Sequence, residues 1–118
     1  KYDIEDNKSS SSHQEELLYR FFRLLLEFHK QERALQFYAD KMCLTPKYLS
    51  TLVKERTGRT AFMWINETLI SSIKHMLKTT DKTILQISEE LNFPNASFFG
   101  RFFKKHTGMT PVQYRESE

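Results

Sequence analysis

The sequence predicts an all-α fold of about seven helices, in which a long linker helix joins two helix-turn-helix units. Three observations lead there. Strong helix formers dominate, and three Gly and three Pro in 118 residues are too few for a β-rich fold with many tight turns. Apolar residues recur at helical spacing, and no stretch alternates as a strand would. Two segments of the chain also repeat one another.

Residues 1–11, "KYDIEDNKSSS", are polar and Ser-rich and read as a linker or frayed end. Ser12-x-x-Glu15 is a capping-box pattern ahead of "HQEELLYRFFRLLLEFHK", so residues 12–33 are expected to hold an N-terminal helix. Its apolar residues Leu17, Leu18, Phe21, Phe22, Leu24, Leu25, Leu26 and Phe28 cover too broad an arc for one neighbour. The helix must pack on several elements, or on a part of the protein outside this chain.

Helices at about 34–43 and 45–57 make the first unit, residues 34–59. The linker helix "AFMWINETLISSIKHMLKT" occupies 60–80, and helices at about 83–91, 95–107 and 110–116 make the second unit, residues 81–118. Gly58 and Gly108 each follow a basic helix end, as C-terminal caps do. Thr45-Pro46 and Thr110-Pro111 pair an N-cap with proline at the first helical position.

The repeat is visible residue by residue. At an offset of 49, Tyr38 aligns with Ile87, Ala39 with Ser88, Met42 with Leu91 and Leu44 with Phe93. At an offset of 50, Tyr48-Leu49 aligns with Phe98-Phe99, Leu52-Val53-Lys54 with Phe102-Phe103-Lys104, and Thr57-Gly58-x-Thr60 with Thr107-Gly108-x-Thr110. The extra residue falls in a turn, where insertion is cheapest. Each copy reads as helix, tight turn, helix, whose second helix suits a DNA major groove. Ala39 and Ser88 supply the small residue needed where the two helices cross.

At 100° per residue, Leu49, Leu52, Val53 and Arg56 share the inner side of the first such helix, with Tyr48 at its margin. Opposite lie Lys47, Ser50, Thr51 and Lys54. In the second helix, Phe99, Phe102, Phe103 and His106 face inward with Phe98 at the margin, opposite Ser97, Gly100, Arg101 and Lys104. Neither outer face carries an acid. Residues 45–59 hold Lys47, Lys54, Arg56 and Arg59 against Glu55 alone, and residues 95–107 hold Arg101, Lys104 and Lys105 with no acid. Each stretch matches the whole chain's excess of +3, so the remainder is net acidic. Positive charge concentrated on two repeated helices is the electrostatic footprint of a DNA binder. The 19-residue linker helix would span about 28 Å, near the 34–36 Å between successive grooves on one face of DNA.

These residues resemble the C-terminal DNA-binding domain of the AraC/XylS family of bacterial transcription regulators, over about residues 34–116. "ILQISEELNFPNASFFGRFFKKHTGMTPVQYR" carries the most specific part, and Thr45 to Ser50 fits in the first unit. The resemblance implies two helix-turn-helix units in adjacent major grooves. It places base-facing positions at Lys47, Ser50, Thr51 and Lys54, and at Ala96, Ser97, Gly100 and Arg101, with Lys104 and Lys105 nearer phosphate and Asn95 among the DNA-binding residues. It also implies a preceding effector-binding or dimerisation domain, with RNA polymerase as a candidate partner. Asn92 stands where the family usually has Gly, and Asn tolerates a left-handed backbone.

Competing chemistries have little support. His13, His29, His75, His106 and the single Cys43 show no metal-ligand spacing, so neither metal nor cofactor is expected and solvated or core histidines are. No nucleotide-binding or hydrolase motif is present, and Asp81, Glu89 and Glu90 read as helix-start acids, so the chain is not expected to be an enzyme. Trp64 reads as core, and Cys43 as a small buried apolar group with no disulfide partner. No apolar run approaches the roughly 20 residues of a membrane span, and the polar N-terminus carries no signal peptide, so a cytoplasmic protein is expected. Starting at Lys1, the chain is expected to be a fragment. Two other readings stand beside the DNA-binding one. In the first, a helical interaction module docks through the N-terminal helix. In the second, the chain is the DNA-targeting appendage of an absent enzyme domain.

Overall fold

The computed structural model describes residues 2–118, and side chains from residue 11 onward. The described residues form α1 (Tyr2–Phe28), α2 (Leu35–Lys41), α3 (Pro46–Thr57), α4 (Ala61–Thr79), α5 (Ile84–Glu90), α6 (Ala96–Thr107) and α7 (Pro111–Glu116). Among them there is no strand. Helix ends from α2 to α7 fall within about two residues of the sequence expectation.

The first helix differs from that expectation. It runs unbroken from Tyr2, so Ser12 lies inside it and caps nothing, and residues 2–11 continue the helix in place of the expected linker. Once a helix is nucleated, each added residue gains a hydrogen bond, while Ser, Asn or Asp costs only about 0.7 kcal/mol relative to Ala. Lys1 lies outside the described residues. The acids also fall differently: α5 starts at its Thr83 cap with no acid in its first turn, so Glu89 and Glu90 close it. Glu90 pairs there with Lys82.

The chain divides into two compact units, Lys1–Ile65 and Asn66–Glu118, with the division inside α4. In the first, Leu17, Phe21 and Leu25 of α1 pack with Tyr38, Ala39 and Met42 of α2, Leu49, Leu52 and Val53 of α3, and Ala61 and Ile65 of α4. The broad apolar arc of α1 is thereby shared between α2 and α3, leaving Tyr19 and Leu26 exposed. In the second, Leu69, Ile70, Ile73, Met76 and Leu77 of α4 pack with Ile87 of α5, Leu91 beyond it, and Phe99 and Phe103 of α6. Each fully buried Phe or Leu contributes about 1.5–3 kcal/mol relative to exposure.

The two turns share one backbone device. The N–H of Leu44 donates to Ala39 O (2.9 Å) and that of Cys43 to Asp40 O (3.1 Å); Phe93 donates to Ser88 O (3.0 Å) and Asn92 to Glu89 O (3.1 Å). This is the Schellman pattern, which puts the residue after the cap in left-handed backbone. Cys43 (φ 58°) and Asn92 (φ 65°) hold those places. Cys43 is therefore exposed at the turn and not buried as expected: the turn geometry, not apolarity, sets its position.

The repeated Thr-Gly-x-Thr also has a structural reading. Thr57 Oγ1 donates to Val53 O (2.7 Å) and accepts the N–H of Arg59 (3.1 Å) and Trp64 Nε1–H (3.0 Å). Thr107 Oγ1 likewise donates to Phe103 O (2.8 Å) and accepts the N–H of Met109 (3.2 Å). The glycines stop α3 and α6 in left-handed backbone, at φ 80° and 84°. Thr60 and Thr110 then accept the N–H of Met63 (3.0 Å) and Gln113 (3.1 Å) to start the next helix. One tetrapeptide thus ends one helix and begins another. The repeat continues beyond it: Trp64 stacks edge-on to Phe22 (5.0 Å), and Tyr114 to Phe103 (5.7 Å).

Two buried polar groups generate predictions. Ser88 is fully buried and its hydroxyl has no hydrogen-bond partner. Ser88→Ala is expected to stabilise the second unit by about 1 kcal/mol or more, since a buried unpaired hydroxyl costs about 1–3 kcal/mol. A chemical denaturation midpoint that falls would contradict this. His29 is buried, with Nδ1 2.8 Å from Leu25 O; burial, opposed by that backbone hydrogen bond, lowers its pKa below 6.5. The folded state therefore favours the neutral ring. That contribution is complete above pH 6.5 and is lost as pH falls through 6.5 towards the folded-state value. Melting followed from pH 8 to pH 5 should show a drop that His29→Gln flattens.

Candidate nucleic-acid interface

In α3, Thr45 Oγ1 accepts the N–H of Tyr48 (3.0 Å) and Pro46 occupies the first turn, which fixes the helix start. Leu49, Leu52 and Val53 are buried, so the inward face is locked. Lys47, Thr51 and Lys54 are exposed and Ser50 half-buried on the opposite face. Lys54 Nζ donates to Gly58 O (3.1 Å), a cation at its own helix C-terminus. Arg56 pairs with Glu15 of α1 (3.1 Å), and the Arg59 guanidinium lies 5.1 Å over Trp64. Both partners of the Arg56 pair remain partly exposed, so it contributes about 0–1 kcal/mol at most. Three of the four cations in this basic stretch therefore have local structural partners, which the charge pattern alone did not reveal.

In α6, Asn95 Oδ1 accepts the N–H of Phe98 (2.7 Å), so Asn95 is first of all the N-cap. Its side-chain amide N–H groups are the part left for a ligand. Phe99 and Phe103 are buried and set the rotation of the helix. Ser97, Arg101, Lys104 and Lys105 are exposed, and Ala96 and Gly100 half-buried. His106 stacks against Phe102 (4.5 Å). None of the twelve residues of α6 is acidic, and Arg101, Lys104 and Lys105 are exposed on it. Lys47, Ser50, Thr51 and Lys54 share one face of α3, and Ser97, Gly100, Arg101 and Lys104 the equivalent face of α6, whereas Asn95 caps that helix, Ala96 starts it on the side of buried Phe103, and Lys105 lies beside the face.

Two aromatic positions beside these sets also reach solvent. Tyr48 is 42% and Phe98 46% exposed, where periodicity placed both only at the margin of the inward face. Among the described residues, no group of three His, Cys, Asp or Glu gathers as a metal site. No helix among them is long and apolar enough to cross a membrane.

Comparison with known proteins adds the following. A helix-turn-helix domain family matches residues 38–117. The arabinose operon regulatory protein of Salmonella typhimurium is 34% identical over 77 residues, covering 65% of this chain and 27% of that protein. The chain thus spans about a quarter of that relative's length. The C-terminal domain of the two-component response regulator yesN from Fusobacterium nucleatum aligns with TM-score 0.74 and 28% identity, covering 81% of this chain and 94% of that one. The C-terminal domain of AraT, a response regulator from Geobacillus stearothermophilus, shares the fold at TM-score 0.80 and 23% identity, covering 86% and 85%.

Gly100 offers a test that needs no DNA. A Cβ built on it meets nothing within 4 Å, so packing does not require glycine there. Within a helix, glycine costs about 0.5–1 kcal/mol relative to alanine. Gly100→Ala should therefore raise the melting temperature of the free protein, and a lowered one in calorimetry would show an unrecognised constraint.

Proposed function

The chain belongs to the AraC/XylS family as a transcription-regulator DNA-binding domain, and we propose that it reads double-stranded DNA sequence-specifically with α3 and α6 in adjacent major grooves. The observation that carries this reading is the same in both units. One helix face is locked into the core by Leu49, Leu52 and Val53, or by Phe99 and Phe103, while the opposite face carries Lys47, Ser50, Thr51 and Lys54 with Glu55 at its edge, or Ser97, Gly100, Arg101 and Lys104 with no acid. Such a face suits the acceptor-rich major groove and the phosphates beside it. Each unit by itself presents one such helix, so a single chain carries two groove-sized reading helices.

The residues divide by chemistry. Lys47, Ser50 and Thr51 of α3, and Ser97 and Arg101 of α6, carry groups that can hydrogen-bond base edges. Lys104 and Lys105 suit phosphate, as does Lys54 once its ammonium leaves the Gly58 carbonyl. Asn95 can donate from its amide while its oxygen caps α6. Ala96 and Gly100 provide close approach without hydrogen bonds, so the second unit holds DNA more than it reads it. The role is non-catalytic and cytoplasmic. In the full-length protein, the length of the relatives supports an additional effector-binding or dimerisation domain, and RNA polymerase is a candidate partner that rests on the family resemblance alone.

Arg101→Ala is expected to weaken binding to a selected duplex by roughly tenfold and relax base preference in one half of the site only. Lys47→Ala should do the same in the other half. Fluorescence anisotropy showing unchanged affinity for both variants would sink the proposed assignment of these side chains.

A further inference from the structure

We propose that Tyr48 and Phe98 are a matched pair of thymine-reading residues, each packing its ring against a thymine C5-methyl in the groove its helix enters. The inference deepens the two-groove reading and rests on it. Tyr48 and Phe98 occupy the same repeat position, and they are the exposed large hydrophobics of α3 and α6. Their backbone positions are fixed. The backbone N–H of each is bound by its helix cap, Thr45 Oγ1 for Tyr48 and Asn95 Oδ1 for Phe98. Each directly precedes a fully buried residue, Leu49 or Phe99, which sets the helix rotation. Phe93 lies against the Phe98 ring, with centroids 6.2 Å apart.

The fold does not use these rings fully, because 42% of Tyr48 and 46% of Phe98 stay in water. Aromatic residues also bring no advantage to an exposed helix position. Three residues on from each ring, one turn along the same side of the helix, stands a base-facing side chain, Thr51 or Arg101. The thymine methyl is the one apolar mark that bases present in the major groove. An exposed ring at the shoulder of the reading face is complementary to it. The contact matters most for α6, where Ala96 and Gly100 bring no hydrogen-bonding group and leave few other means of discrimination.

The test begins by selecting bound duplexes from random DNA with this chain. Each thymine of the selected site is then replaced by deoxyuridine, which removes only the methyl. Wild-type protein is expected to lose about fourfold in affinity at one or more thymines in each half of the site. Phe98→Ala should abolish that sensitivity in one half, Tyr48→Ala in the other, and Phe98→Leu should retain part of it. Melting curves of each variant check that it is folded, and the wild-type deoxyuridine series stands whatever the variants do. Several outcomes overturn the proposal: no effect of deoxyuridine at any position, a half-site that contains no thymine, or alanine variants that keep the wild-type thymine-to-uracil ratio. An affinity loss equal on thymine and uracil duplexes would instead mean packing on deoxyribose. A selection that enriches no sequence would remove the two-groove reading itself, and the thymine pair with it.

Discussion

The close crossing of two short helices in each unit is the constraint on which the rest depends. α2 and α5 are seven residues each, too short to be stable alone, so they persist only by packing on α3 and α6. That packing needs a small side chain where the backbones approach, and Ala39 and Ser88 fill the place with no exposure at all. The carbonyls of the same two residues accept the longer-range bond of each Schellman turn. Crossing and turn are thus one feature. Together they aim the second helix, and they place Cys43 and Asn92 in left-handed backbone at a cost the packing must offset.

Once the second helix is aimed, its chemistry separates by face. Burial of Leu49, Leu52 and Val53, and of Phe99 and Phe103, removes rotational freedom, so the polar side chains become a fixed surface. The cations then differ in duty. Arg56, Arg59 and Lys54 are engaged by Glu15, Trp64 and the Gly58 carbonyl, and brace the first unit. Arg115 does comparable work in the second, donating to Leu77 O (3.0 Å) and Thr80 O (3.2 Å) at the end of α4. Counting charge by segment overstates what the first unit can offer a ligand, while α6 keeps its positive side chains outward.

Much of this was legible in the sequence because it rests on local chemistry. Helix periodicity, the Thr caps and the two cap glycines act within a few residues, and the repeat makes each visible twice. Outer-face positions followed from the same periodicity. The sequence reading erred where local signals compete. Ser12-x-x-Glu15 has the pattern of a helix start, yet the helix runs through it. Cys43 has apolar character, yet the turn claims its backbone.

The sequence by itself determined the helices from α2 onward, the twofold repetition and the buried apolar side of α3 and α6, since these depend on spacing along one chain, although Arg56 and His106, placed on the inner side by the same spacing, are exposed at its edge. Only the tertiary structure decided which cations are already engaged, that the Ser88 hydroxyl is left unpaired, and that Tyr48 and Phe98 remain nearly half in water. The reason is physical. Burial and pairing depend on distances between elements far apart in the chain, as with Glu15 and Arg56, and no spacing rule within one helix encodes such distances.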